Sequence, residues 1–127
     1  MMALVINTAG PQAVVYLVRD QDVLVRQEWT ADRSLGKALL EVIENLLERY
    51  HIKPEDIDRI GVHGGPGHFG ALRSGVSVAS ALATAWKTDL VQLSGAGDDE
   101  ILAALQAAAP VAAIAPIYIK RAVDKSD

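Results

Sequence analysis

The chain has 127 residues, with 12 Lys and Arg against 16 Asp and Glu, and no cysteine. That length suits one ordinary domain that hides roughly two-thirds of the surface its unfolded form exposes. A formal net charge of -4 lacks the basic excess that neutralising a phosphate backbone requires, so direct autonomous nucleic-acid binding is not expected. Without cysteine there is no disulfide, thiolate nucleophile or cysteine-ligated metal, and the cytoplasm is the expected compartment.

The first 18 residues carry no charged side chain, but they lack a basic start and are broken by Gly10-Pro11-Gln12. They read as a buried hairpin rather than a signal sequence. Residues 3–7, 13–18 and 23–29 are short runs rich in β-branched and apolar side chains, parted by turn residues, which predicts an antiparallel three-stranded meander. A helix is predicted over 34–50, where Leu35, Leu39, Val42 and Leu46 fall within about 60° of one another. Pro54-Glu55-Asp56 closes it off, and residues 59–63 read as a buried strand. A second helix follows from about 71 to 86, then a strand at 90–93 and a third helix near 98–108 with Gly97 or Asp98 as cap. Beyond 109 the chain reads as extended, with 117–119 as a short further strand. The apolar run 107–117 contains Pro110 and Pro116 and is shorter than the ~20 residues a membrane helix needs. The fold expected is mixed α/β, three antiparallel strands followed by parallel ones with helices packed on the sheet.

Between the fourth predicted strand and the second helix lies GGPGHFGALRSG. Within it Gly65, Gly67 and Gly70 match G-x-G-x-x-G in a strand-to-helix setting, the pattern of a dinucleotide loop. Asp89, 19 residues after Gly70, precedes its strand, whereas a ribose-binding acid belongs at the strand's far end. No Gly-Lys-Ser/Thr follows, which removes a P-loop. Glycines that permit a sharp turn and close packing are the competing explanation, and a vestigial phosphate loop at a helix start is the intermediate one. His51, His63 and His68 lack the spacing of a helical metal pair, and Ser74, Ser77 and Ser80 have no recognisable base, so no metal site and no catalytic set is predicted.

The helices carry more information. Leu40, Ile43 and Leu47 lie about 70–130° from the core stripe of the first helix, widening its apolar arc. The second helix has no charged residue from 74 to 86; Arg73 starts it, and Ser77, Ser80 and Thr84 form its most polar stripe. A helix exposed on one side normally carries charge there, so either the helix is buried within the domain or, the favoured reading for so short a chain, these residues are contacts with another subunit.

The loop and helix together, Gly65-Pro66-Gly67-His68-Phe69-Gly70-Ala71-Leu72-Arg73 followed by Ser74-Gly75-Val76-Ser77-Val78-Ala79, resemble the TsaB (YeaZ) family, whose hallmark is G-P-G-S-F-T-G-L-R before a small-residue helix. Asn7-Thr8-Ala9 resembles the family's Asp-Thr-Ser start, Arg33-Ser34 its helix-opening His-Ser, and Pro116-Ile117-Tyr118-Ile119-Lys120-Arg121 its C-terminal Pro-x-Tyr-x-Arg. The resemblance implies an actin-like, ribonuclease H-like domain with a five-stranded sheet, over 1–127, in which 110–127 stands in place of most of a second domain. It further implies a noncatalytic subunit in the synthesis of threonylcarbamoyladenosine in tRNA. Such a subunit pairs through helices with a TsaD-type paralogue and, through that complex, works with a TsaE-type ATPase, ATP and metal being held by those partners. A homodimer through the same surface is an alternative that stays open for the isolated chain. Asn7 in place of Asp lacks the charge that helps hold a metal. The alternative is a small nucleotide- or dinucleotide-binding enzyme that uses the Gly65–Gly70 loop.

Overall fold

The computed structural model describes residues 1–118. Its elements run β1 (Met2–Asn7), β2 (Gln12–Arg19), β3 (Asp22–Thr30), α1 (Leu35–Arg49), a short 3-10 turn (Pro54–Asp56), β4 (Arg59–His63), α2 (Phe69–Trp86), β5 (Asp89–Leu93) and α3 (Asp98–Ala107). The strands form one sheet in the order β3-β2-β1-β4-β5. The pairs β1–β2 and β2–β3 are antiparallel, while β1–β4 and β4–β5 are parallel. The meander with two later parallel strands is thus present as the apolar runs and turns predict.

The central strands are buried on both sides, so they read as nearly continuous apolar runs with an underlying alternation. Leu4, Ile6, Val15, Leu17, Ile60 and Val62 pack in one core with α1 and α2. Ala3, Val5, Val14, Tyr16, Val18, Val91 and Leu93 form a second core with Ile101 and Leu105 of α3. The charge-free start of the chain is therefore a buried hairpin, with Met2 to Ile6 and Ala13 to Val18 all buried.

Polar contacts fasten α3 to its face. The Tyr16 hydroxyl donates to the Asp98 carboxylate at 2.6 Å, and Arg26 Nε pairs with the same carboxylate at 2.8 Å. At the other end Arg59 Nη1 donates to the Leu105 and Ala108 carbonyls at 3.2 and 3.0 Å, placing a cation where a helix C-terminus attracts one. The N-cap position is Gly97, and Asp98 opens the helix.

Segment 111–118 follows the free edge of β5. The Val111 amide donates to the Leu90 carbonyl at 2.7 Å, and the Gln92 amide group both donates to and accepts from the Ala115 backbone at 2.8 Å. The further strand expected at 117–119 is a single bridge, Tyr118 to Gly67; Ile119, Lys120 and Arg121 lie outside the described residues.

Candidate functional site

Because β1, β4 and β5 are parallel, the loops that follow them gather at one end of the sheet. There they enclose a cleft of about 450 Å³ lined by Asn7, Ala9, Gly10, His63, Gly65, Pro66, Ser94, Gly95 and Ala96. This is where open α/β sheets bind ligands. Among the described residues no lining side chain is a carboxylate or an Arg or Lys. The Asn7 side-chain carbonyl is turned onto its own chain, accepting from the Ala9 amide at 3.0 Å.

His63, 4% exposed, ties two of these loops together. Its Nδ1 accepts from the Gly65 amide at 3.0 Å, so Nε2 carries the proton and donates to the Gly95 carbonyl at 2.8 Å. Both ring nitrogens are thereby used and neither is left for a metal. His68 is exposed. Among the described residues no group of three potential metal ligands comes together.

Three amides at the start of the glycine loop are similarly spoken for. Gly64 donates to the Leu93 carbonyl at 2.9 Å and Gly67 to the Ile117 carbonyl at 3.0 Å; Gly65 is held by His63, and Pro66 has no N–H. The glycine at 65, with φ +100, has the backbone conformation that L side chains rarely adopt, and a side chain there would run into the Ile117 carbonyl. A methyl group on Gly67 would stand 2.8 Å from the Ala9 Cα. Gly70 lies apart from Gly65, with Asp32, Arg33 and Ser74 in a separate depression of about 470 Å³ between the starts of α1 and α2. Asp89 opens β5, at the end of the strand away from the cleft. The three fingerprint glycines and the acid thus do not converge on one cradle.

The helical face is arranged differently from the wheel. Ile43 and Leu47 are core residues, 2% and 7% exposed, whereas Leu40 is 48% exposed and Val42 is half-buried. The physical reason is that α2 packs beside α1, so Leu82 and Trp86 wall the side that a sheet-only contact would leave open. Leu40, Ile43 and Leu47 still border one groove of about 320 Å³ with Glu44, Pro54, Leu82 and Trp86. On α2, Arg73, Ser77 and Thr84 are exposed and Ser80 is half-buried. The Arg73 guanidinium lies over the Phe69 ring, 5.5 Å from its centroid. Ser80 and Thr84 border a small pocket closed by Pro110, Val111 and Ala112. The outer surface of α2 therefore runs through Ser77, Ala81, Thr84 and Ala85, all exposed and all uncharged.

Comparison with known proteins places this arrangement. The family model described as "TsaD: tRNA N6-adenosine threonylcarbamoyltransferase" matches residues 29–97, which span α1, β4, the glycine loop, α2 and β5. The chain belongs to this family. A tRNA N6-adenosine threonylcarbamoyltransferase of Anaeromyxobacter sp. (strain Fw109-5) is 36% identical over 80 residues, 63% of this chain and 24% of that protein. The protein of that name from Paraburkholderia xenovorans (strain LB400) is 45% identical over 56 residues, covering 44% of this chain and 16% of its own length. The chain therefore matches less than a quarter of these relatives. Among solved structures, YeaZ from Pseudomonas aeruginosa aligns with TM-score 0.67 and 22% identity over 73% of this chain and 43% of YeaZ. Thermus thermophilus RuvC aligns with TM-score 0.53 and 8% identity over 80% of this chain and 74% of RuvC. The sheet is that of YeaZ, in the actin-like and ribonuclease H-like class, as the resemblance to the TsaB (YeaZ) family implies. Among the described residues no helix is long and apolar enough to cross a membrane.

Proposed function

We propose that this chain is a noncatalytic partner of a TsaD-type threonylcarbamoyl transferase in tRNA modification, joined to it through the α1/α2 face. The observation that carries the reading is the outer surface of α2, exposed yet without charge from Ser74 to Trp86, beside a groove that leaves Leu40 half in solvent. A solvated helix face on so small a body ordinarily carries charge, and a contact face does not. Family membership supplies the process, and the cleft fits a supporting role. Among the described residues its lining holds neither a carboxylate for a metal nor a cation for a phosphate, and the amides of Gly64, Gly65 and Gly67 are engaged within the chain. The nucleotide-binding enzyme that the glycine pattern suggests is the less supported reading for the same reasons. A TsaE-type ATPase joins through the transferase, and the cytoplasm is where tRNA is met.

Co-expression with a full-length TsaD-type transferase, followed by size-exclusion chromatography, tests the reading. One co-eluting species is expected; two separately eluting proteins at micromolar concentration count against it.

A further inference from the structure

We infer that residues 111–118 form a strap that opens from the body as one unit, ahead of the sheet, and that its closure seals the turn of the glycine loop. The inference goes beyond the partner reading and does not depend on it. The strap is held by its backbone. The Val111 amide donates to the Leu90 carbonyl at 2.7 Å and the Ile117 amide to the Gly64 carbonyl at 2.7 Å, while the Ile117 carbonyl accepts from the Gly67 amide at 3.0 Å. Between these points the Gln92 side chain stands in for a strand: its Nε2 donates to the Ala115 carbonyl and its Oε1 accepts from the Ala115 amide, both at 2.8 Å. Ala115 and Ile117 thus turn both backbone polar groups toward the body, as alternate residues of a paired extended segment do.

Gly64 and Gly65 make the seat. A methyl group on Gly64 would run into the Gln92 side-chain amide, and one on Gly65 into the Ile117 carbonyl. The seat is shaped to the strap, yet little apolar surface fastens it. None of residues 111–118 is buried. Ile114 packs in part against the α1/α2 core, and the Tyr118 ring meets the exposed Phe69 ring edge-on with 4.8 Å between centroids. Beneath Pro110, Val111 and Ala112 a pocket of about 230 Å³, walled by Ser80, Thr84, Thr88 and Asp89, parts the strap from α2. Hydrogen bonds near water contribute little net, so a segment held mainly by them opens at a fraction of the free energy that unfolds the sheet. Opening frees the Gly67 amide and the Gly64 carbonyl on either side of Gly65 and Pro66, which line the cleft. The Gly64 and Gly65 amides stay bound, because their acceptors are the Leu93 carbonyl and His63. The strap therefore governs which backbone groups the turn can present at the cleft.

Residue-resolved amide exchange of the full chain at several urea concentrations tests the inference. The amides of Val111, Ala115, Ile117 and Gly67 should exchange through one shared opening, at least about tenfold faster than the Gly64 amide once intrinsic rates are removed. That opening should depend little on urea, because it exposes little surface. Exchange of these amides only at the rate and urea dependence of Gly64 overturns the inference, as do unrelated rates among them or no protection at any. Gln92→Ala, at a half-buried position on the sheet edge, removes both bonds to Ala115 and should speed exchange at all of these amides about tenfold. Gly67 and Ile117, which Gln92 does not hydrogen-bond, should accelerate with the rest, while Gly64 and Gly65 stay unchanged. Acceleration confined to Ala115 would make Gln92 a local contact and overturn the shared opening.

Discussion

Thr8 and Gly75 meet where the end of β1 passes under α2, and a methyl group on Gly75 would run into the Thr8 hydroxyl. Thr8 is 1% exposed, and its Oγ1 has no hydrogen-bond partner among the described residues. Gly75→Ala gains about 1 kcal/mol of helix propensity, but overpacking a buried site costs about 1–3 kcal/mol. The substitution is therefore expected to lower stability in the wild-type chain and to raise it in a Thr8→Ala background. Urea midpoints of the four proteins measure this coupling; the same gain in both backgrounds would show that the two residues do not press on each other.

His63 holds the loop after β4 to the loop after β5, so His63→Ala strands the Gly65 amide and the Gly95 carbonyl together. A loss of about 2–3 kcal/mol is expected, with faster exchange of the Gly65 amide. Unchanged stability and exchange would mean that the glycines hold the turn without the imidazole.

Tyr16 has its pKa pushed from 10.0 to about 12, first by burial and then by its hydrogen bond and charge interaction with Asp98. The folded chain holds this proton more tightly than the unfolded one, so the stabilisation is complete below pH 10 and is lost as pH rises through about 12. Tyr16→Phe should cost about 1 kcal/mol at neutral pH and flatten the fall between those values. A variant whose stability falls as steeply as wild type over that window would place the titration elsewhere.

Core and contact surface separate by substitution on the two helices. Ile43→Ala should cost about 2–5 kcal/mol, while Leu40→Ala and Ser77→Arg, at exposed positions, should change stability by under about 1 kcal/mol. Toward a transferase partner the ranking inverts in kind: Ser77→Arg should abolish co-elution with the fold intact. Circular dichroism with size-exclusion of the mixture reads both, and a Ser77→Arg chain that still co-elutes would remove Ser77 from the contact.

Most of the fold was legible because its signals are local. Apolar runs, turn residues and the 3.6-residue stripe marked every strand and helix to within a few residues. Ile43 and Leu47 were misplaced because a wheel shows the angle between side chains of one helix and says nothing of a second helix alongside; only Leu82 and Trp86, some 40 residues on, make that side a core. The glycine loop was ambiguous for a related reason. Whether its amides were free depended on acceptors at His63, Leu93 and Ile117, and two of those lie far along the chain. Asp98, a cap candidate from sequence, is used instead by Tyr16 and Arg26, a meeting that only the sheet order creates.

Hydrogen–deuterium exchange on the chain, free and mixed with a full-length TsaD-type transferase, tests the central claim most directly. The account predicts slowed exchange in peptides from α1 and α2 around Leu40, Ser77 and Ala81, with the cleft loops at Gly65 and Gly95 unchanged. Protection confined to the cleft loops, or no protection at all, would contradict it.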